Sequence, residues 1–161
     1  MQDYHDIISE ILIDETRLQQ RVAELGDAIS RDYAGQELHL VCILRGGIVF
    51  LVDLMRQITI PHEVDFMAVT SYGAGARAST GSVRLSLDLK NDIRDKHVLL
   101  VEDIVDSGNT IAYILEFLQT RQPRSLKVCA LLDKPERRET EVPIDYAGFS
   151  IPNRFVFGYG L

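Results

Sequence analysis

The chain has 161 residues, of which 46% are apolar and 25% are charged. This composition predicts one globular domain over residues 1–161 and excludes a disordered chain, a collagen and a coiled coil. A net charge of −7, with no basic run longer than Arg137-Arg138, disfavours a nucleic-acid partner. Cys42 and Cys129 lie in apolar runs and are expected as buried thiols. Because the sequence shows no signal-peptide pattern and no run of about eighteen apolar residues, we expect a cytoplasmic protein without a membrane span.

The first predicted elements are a short strand and an amphipathic helix. The apolar run 8–13 predicts the strand, and Asp14 is expected to cap the helix that follows. Apolar residues then recur at helical spacing from Leu18 to Ile29, and the step Ala34-Gly35 ends the helix.

Beyond this helix, apolar runs alternate with further helical patterns. The runs 39–44, 97–101 and 126–132 are apolar on both faces and are expected as fully buried strands. The full set comprises strands 39–44, 62–70, 83–89, 97–101, 126–132, 146–151 and 155–159, and helices 48–58 and 108 to about 123. This order predicts an α/β fold, in which a mainly parallel twisted sheet is flanked by helices on both faces.

The segment from Val98 to Thr110 carries the most informative chemistry. Glu102 and Asp103 close a buried strand, and Asp106 follows before a Ser-Gly-Asn-Thr turn opens a helix. Free backbone N–H groups, hydroxyls and a helix N-terminus form a cradle for a monophosphate. A sugar would explain carboxylates beside an anion cradle, because its hydroxyls can donate to them, and the same carboxylates could hold Mg²⁺. The alternative is that Asp106 and Ser107 only cap the helix and the acid pair is a solvated turn.

This segment resembles the 5-phosphoribosyl 1-diphosphate (PRPP) motif of the type I phosphoribosyltransferases. With Leu132-Asp-Lys-Pro135 and Pro152-Asn-Arg-Phe-Val-Phe-Gly-Tyr-Gly-Leu161, the chain is similar to the 6-oxopurine branch, the hypoxanthine-guanine phosphoribosyltransferases. The resemblance runs from about Ile8 to the end of the sequence. It implies the type I phosphoribosyltransferase fold, with a mobile active-site loop and a small base-binding hood.

For PRPP, the resemblance implies a role for each matching position. Glu102 and Asp103 would bind the ribose hydroxyls, directly or through Mg²⁺. The residues implied for the 5′-phosphate are Ser107, Gly108, Asn109 and Thr110. Arg45 and Gly46 match the loop that meets the leaving pyrophosphate, although the family usually has a lysine in place of Arg45, and a guanidinium does not replace an ammonium. Ser71 and Tyr72 match the start of the flexible loop that closes over the site, and the small residues of 71–82 are typical of a mobile loop.

For the purine, the resemblance implies four further contacts. Asp106, beside the bound PRPP, would face purine N7 as the general base. Lys134 would donate to the 6-oxo group, Phe155 would stack on the base, and the backbone of Val156 would contact its edge. From the residues alone, two alternatives stay open: Lys134 as one charge in a solvated loop, and Phe155 as part of a strand core.

The resemblance implies a purine salvage enzyme that is Mg²⁺-dependent. It would convert hypoxanthine or guanine plus PRPP to the 5′-mononucleotide and pyrophosphate, through an oxocarbenium-like transition state. It also implies a homodimer or homotetramer. One alternative is a non-catalytic regulator on the same fold that senses PRPP or a nucleotide. A pyrimidine or adenine transferase is another, but it leaves Lys134 and the stretch around Phe155 unexplained.

Overall fold

The structure is a computed structural model, which describes residues 10–71 and 83–161. Within these residues, six strands form one sheet in the order β3-β2-β1-β4-β5-β6. The elements in chain order are α1 (Glu15–Asp32), β1 (Leu38–Leu44), α2 (Ile48–Gln57), β2 (His62–Ser71), β3 (Val83–Leu87), β4 (His97–Val105), α3 (Asn109–Gln119), β5 (Ser125–Asp133) and β6 (Tyr146–Ser150). All neighbouring strands run parallel except the edge pair β2–β3. The predicted α/β fold with a mainly parallel sheet is therefore confirmed.

Helix α1 begins where the sequence predicted. The Asp14 carboxylate accepts a hydrogen bond of 2.9 Å from the backbone N–H of Arg17, which satisfies one free donor of the first turn. Its buried face carries the apolar residues that recur at helical spacing, namely Val22, Leu25 and Ile29. The same helix is closed by Tyr33, whose N–H donates to the carbonyl oxygen of Ile29.

The strand predicted over 8–13 is wrong for its described part, residues 10–13, which are irregular. Leu12 and Ile13 nevertheless pack against the core, whereas Ile11 is exposed. An apolar run indicates that side chains are buried, but it does not show that a strand edge lies in reach for backbone pairing.

Two apolar layers cover the two faces of the sheet. On one face, α1 and α2 pack over side chains that include Leu40, Leu99 and Cys129. On the other face, α3 packs over side chains that include Val41, Leu100 and Val128. Because β1, β4 and β5 are covered on both sides, each has a continuous apolar run on both faces: 40–44, 98–101 and 128–132.

The C-terminal segment corrects a second prediction. Residues 155–159 were expected to form a strand, but they are irregular. The backbone has positive φ at three successive residues, Gly158, Tyr159 and Gly160, at 101°, 54° and 96°. These values are incompatible with an extended chain, so the backbone turns at residues 158–160 instead of continuing as a strand.

The strand that carries the acid pair is longer than predicted, because β4 continues past Val101 to Val105. Parallel pairing with β5 persists over this stretch, with Val105 opposite Asp133. The carboxyl ends of β1, β4 and β5 therefore meet at one edge of the sheet, the edge at which α/β proteins bind ligands. No helix of residues 10–71 and 83–161 has the length and apolarity needed to cross a membrane.

Candidate active site

The acid pair lies inside β4, not in a solvated turn. Asp103 is 6% exposed, and its carboxylate accepts a hydrogen bond of 2.8 Å from the N–H of Ile104. One carboxylate oxygen of Glu102, Oε2, is buried without a hydrogen-bond partner in the described residues. Burial and the adjacent Asp103 raise the pKa of Glu102 well above its usual range. Adjacent carboxylates, one buried and one with a buried oxygen, are an arrangement that a cation or a sugar hydroxyl would relieve.

The loop between β1 and α2 lies directly against this acid pair. At Gly46, a Cβ atom would overlap the carboxylate of Asp103, so only glycine lets the loop approach the acid. On the other side of the loop, a Cβ at Gly160 would be 2.8 Å from the carbonyl oxygen of Gly46. The C-terminal segment and Asp103 thus both lie against the loop for which the resemblance implies contact with pyrophosphate. The side chain of Arg45 is exposed.

A small pocket lies where β4 gives way to α3. Its volume is about 120 Å³, and its lining includes Glu102, Asp106, Ser107, Gly108 and Thr110. Most of the residues expected to hold the ribose and its 5′-phosphate therefore surround one cavity. The N-terminus of α3 contributes free backbone N–H groups and a partial positive charge to this cavity.

The turn before α3 depends on Gly108. This residue has φ of +87°, in the left-handed region, and a Cβ there would overlap the carbonyl oxygen of Thr140. The side chain of Asn109, one of the four residues expected to hold the phosphate, donates to the carboxylate of Glu139 at 2.9 Å and accepts from the hydroxyl of Thr140 at 2.6 Å. Its side chain is engaged with the segment after β5, and its backbone N–H remains the group near the cradle.

Asp106 has a partner that the sequence analysis missed. Its carboxylate accepts a hydrogen bond of 3.1 Å from Nε of Arg137, and both side chains are about half exposed. Arg138 donates to the main-chain carbonyl of the same aspartate at 2.9 Å. The available signal was the pair of arginines four and five residues beyond the end of β5, a strand parallel to β4, since the ends of parallel strands meet at one edge.

Lys134 follows β5 at this edge and is 8% exposed. Its backbone N–H donates to the carbonyl of Val105 at 3.0 Å, which ties the end of β5 to the end of β4. Within residues 10–71 and 83–161, its ammonium group forms no hydrogen bond or ion pair. The interpretation of Lys134 as a charge in a solvated loop is therefore wrong, since a solvated lysine would be exposed.

Phe155 is 92% exposed, so the alternative that it belongs to a strand core is wrong. Its neighbour Val156 is partly buried and packs against the α1–α2 layer. Both residues line a larger cavity of about 320 Å³, formed by the start of the described chain and the C-terminal segment. This cavity shares no lining residue with the pocket at α3, so the structure does not join the purine and phosphate residues into one cavity.

A sequence model of the phosphoribosyl transferase domain matches residues 9–161. The chain belongs to the phosphoribosyltransferase family. It is 51% identical over 154 residues to the hypoxanthine phosphoribosyltransferase of Salmonella typhimurium, covering 94% of this chain and 86% of that protein. It is 47% identical over 164 residues to the hypoxanthine-guanine phosphoribosyltransferase of Mycobacterium avium, covering 98% and 80%. A crystal structure of a hypoxanthine phosphoribosyltransferase from Staphylococcus aureus superimposes with a TM-score of 0.93 at 42% identity, covering 98% and 85%.

These comparisons confirm the resemblance to the 6-oxopurine branch and the prediction of an enzyme. The alternative of a non-catalytic regulator finds no support among the relatives. The flexible loop was predicted to begin at Ser71 and Tyr72. Ser71 is the last residue of β2, and Tyr72 lies outside the described residues.

The acid pair of this phosphoribosyltransferase fits a Mg²⁺ ion that is held jointly by the protein and its substrate. No cluster of three or more metal-binding side chains occurs in the part of the chain that the structure describes. Mg²⁺ is commonly held by one or two carboxylates together with substrate phosphates, not by a complete protein cage. Glu102 and Asp103, with a buried oxygen left without a partner, are a donor set of this kind.

Proposed function

We propose that the protein transfers the phosphoribosyl group of PRPP to hypoxanthine or guanine and releases pyrophosphate. The observation that carries this proposal is the carboxylate pair of β4: Asp103 is buried against Gly46, and Glu102 lines the pocket at the N-terminus of α3. The relatives named for hypoxanthine and guanine support the substrate class. A related variant from Trypanosoma cruzi, 40% identical with a TM-score of 0.90, is described as a ternary complex with substrates.

In this proposal the pocket at α3 binds the phosphoribosyl group. The backbone N–H groups of Ser107 to Thr110 and the hydroxyls of Ser107 and Thr110 hold the 5′-phosphate. The carboxylates of Glu102 and Asp103 accept hydrogen bonds from the ribose hydroxyls. They also stabilise the positive charge that develops on the ribose as pyrophosphate leaves.

Asp106 takes the proton that the purine loses. The bond between purine N9 and ribose C1′ forms as the bond from C1′ to the pyrophosphate oxygen breaks, and pyrophosphate departs with the bonding electrons. The N7 proton passes to the Asp106 carboxylate. Lys134 donates to the 6-oxo group and Phe155 stacks on the ring, while the backbone of Val156 contacts its edge. Arg137 donates to one oxygen of this carboxylate, Oδ1, which leaves the second oxygen as an acceptor for the proton.

We further propose that Glu102 and Asp103 hold Mg²⁺ together with oxygens of PRPP. When bound, the ion neutralises charge on the departing pyrophosphate. The backbone of Arg45 and Gly46 meets that same leaving group from the β1–α2 loop. The loop that starts at Ser71 and Tyr72 excludes water from the oxocarbenium-like transition state, which water would otherwise hydrolyse.

We also propose a cytoplasmic homo-oligomer, a dimer or a tetramer. The cytoplasmic part is supported by Cys42 and Cys129, which are both buried free thiols. Burial and the nearby carboxylates of the acid pair raise the pKa of the Cys42 thiol to about 12, so it stays protonated and unreactive at neutral pH. Oligomerisation is supported by exposed apolar residues along α2, namely Ile48, Val49 and Val52.

The test is pyrophosphate release with PRPP and Mg²⁺, measured separately with hypoxanthine, guanine, xanthine, adenine and uracil. We expect turnover with hypoxanthine or guanine and none with uracil. Turnover with adenine or uracil alone would contradict the purine assignment of Lys134 and Phe155. No turnover with any base, in a protein shown to be folded by circular dichroism, would contradict the proposed function itself.

A further inference from the structure

Arg138 joins two loops at the edge of the sheet where the site lies. Its side chain is only 9% exposed. One guanidinium nitrogen, Nη1, donates to the main-chain carbonyl of Asp106 at 2.9 Å, and the other, Nη2, donates to the carboxylate of Asp133. A buried guanidinium is retained only where hydrogen bonds and an opposite charge compensate its lost hydration, so this geometry is closely specified.

The two partners of Arg138, Asp106 and Asp133, each lie next to a part of the proposed site. Asp133 is the last residue of β5 and is followed at once by Lys134. Asp106 is the general base and begins the turn that leads to the phosphate cradle. The guanidinium therefore connects the loop of the proton acceptor with the strand end that carries the purine-binding ammonium.

The residues after Arg138 strengthen the same connection. The N–H groups of Glu139 and Thr140 both donate to the carbonyl of Ser107, at 2.9 and 3.0 Å. The aliphatic part of Arg138 also lies close to Gly108, where a Cβ would be 3.1 Å from its Cδ. The turn 106–108 is thus held from one side by the segment 138–140.

We propose that Arg138 is a positioning residue, which fixes the Asp106 turn relative to Lys134 so that base and ammonium meet one purine at a set separation. The inference rests on the proposed function for its catalytic consequence, but the geometric role stands independently. Arginine suits this role because its planar fork reaches a carbonyl and a carboxylate at once, whereas a lysine ammonium is a single point charge. An error of about 1 Å in such a placement can cost about 10²-fold in rate.

The first test compares Arg138→Gln and Arg138→Lys with the wild type and with Arg121→Gln. Arg121 is a matched control, because it also pairs with an aspartate, Asp88, but lies at the far end of α3. Hydrogen–deuterium exchange of the peptide spanning 103–111 needs no turnover. We expect faster exchange in both Arg138 variants and unchanged exchange in the control; unchanged exchange in the Arg138 variants would overturn the inference.

Steady-state kinetics then distinguish a positioning role of Arg138 from a loss of folded protein in its variants. We expect kcat to fall about 10²-fold and KM for hypoxanthine to rise in both Arg138 variants, while the Kd for pyrophosphate stays the same. A structural role alone would reduce the active fraction, so kcat would fall with KM unchanged, and this result would overturn the inference. The double variant Arg138→Gln with Asp133→Asn also removes the Asp133 carboxylate, which is 21% exposed and has lost its ion-pair partner in the single variant, and we expect it to regain stability but not kcat. If the wild type turns over no base, the proposed function fails, and the exchange data still decide the geometric role.

Discussion

At the scale of single residues, the site depends on carboxylates whose surroundings differ. Glu102 is partly buried, and one of its oxygens is enclosed without a partner among the described residues. Asp103 lies against Gly46, and Asp106 is half exposed and paired with Arg137. A proton acceptor must be reached by its substrate, whereas groups that hold a sugar or a cation can be buried. These environments support the division of roles proposed for the three acids.

Asp106→Asn tests that division, since asparagine keeps the shape of the side chain but cannot take up a proton at neutral pH. We expect kcat to fall about 10²- to 10⁴-fold, the usual contribution of a positioned general base. The midpoint of thermal unfolding should change little, because the carboxylate is half exposed and its pair with Arg137 is a surface contact. Steady-state kinetics beside a thermal melt measure both. Turnover equal to that of the wild type would remove Asp106 from the mechanism.

The sequence predicted these acids because their signal is local. The acid pair, Asp106 and the Ser-Gly-Asn-Thr turn lie within thirteen residues from Val98 to Thr110. Arg137 and Arg138 could not be found in the same way, because they reach Asp106 only through the side-by-side placement of β4 and β5. Contacts that depend on the order of strands in the sheet cannot be predicted from residues that are neighbours in the sequence.

At the scale of elements, apolar runs located the buried strands but not their ends. β4 was expected to stop at Val101, yet its pairing with β5 continues through Glu102 opposite Ala130 and Ile104 opposite Leu132. Acidic residues are uncommon in strands, so Glu102 and Asp103 suggested that the strand ends before them. The hydrogen bonds between β4 and β5 nevertheless continue past both residues. The C-terminal error is the reverse: the run from Phe155 to Tyr159 favours a strand by composition, but the backbone turns at Gly158 and Gly160.

The first residue of β4 makes a pH-dependent contribution to stability. Burial, with a smaller effect from Arg124, lowers the pKa of His97 below its ordinary value of 6.5, and its Nδ1 lies 2.7 Å from the hydroxyl of Ser125. As pH falls through 6.5, the unfolded chain binds a proton before the folded chain does. The contribution of neutral His97 is therefore present above that pH and is lost as the solution becomes more acidic.

His97→Gln should remove this component of the pH profile. We expect the wild type to lose free energy of unfolding relative to the variant as pH is lowered from about 7 to about 5, a window set by the unfolded pKa of histidine. Urea denaturation at a series of pH values measures the difference. Parallel profiles for the two proteins would show that His97 titrates alike in the folded and unfolded states.

At the scale of the whole molecule, the sheet separates two tasks. The apolar layers of α1–α2 and of α3 stabilise the two faces, and the residues proposed to bind PRPP lie at or just beyond the carboxyl ends of β1 and β4. Fold class and edge were predictable because apolar patterning and strand alternation are global signals. The contacts between loops at that edge were not predictable. Gly160 lies against Gly46, for example, although the two residues are more than a hundred positions apart in the sequence.

The exposed face of α2 leads to a prediction about assembly. We expect light scattering after size exclusion to give the mass of two or four chains. Val52, 38% exposed and outside the core, is a suitable site for a charge. Val52→Glu should shift the protein towards smaller species without lowering its thermal midpoint as a monomer, because a buried charge is costly only in the interface. An unchanged mass would place the interface elsewhere, and a monomeric wild type would contradict the proposed assembly.

The central claim is that the carboxylates of β4 and the turn before α3 together bind the pentose phosphate part of PRPP. Calorimetric titration of PRPP with Mg²⁺ into the wild type, and into the double variant Glu102→Gln with Asp103→Asn, tests it most directly. We expect measurable binding to the wild type and a Kd at least about tenfold weaker in the variant, equivalent to about 1.4 kcal/mol. Equal Kd values in two folded proteins, or no binding to the wild type, would contradict the claim.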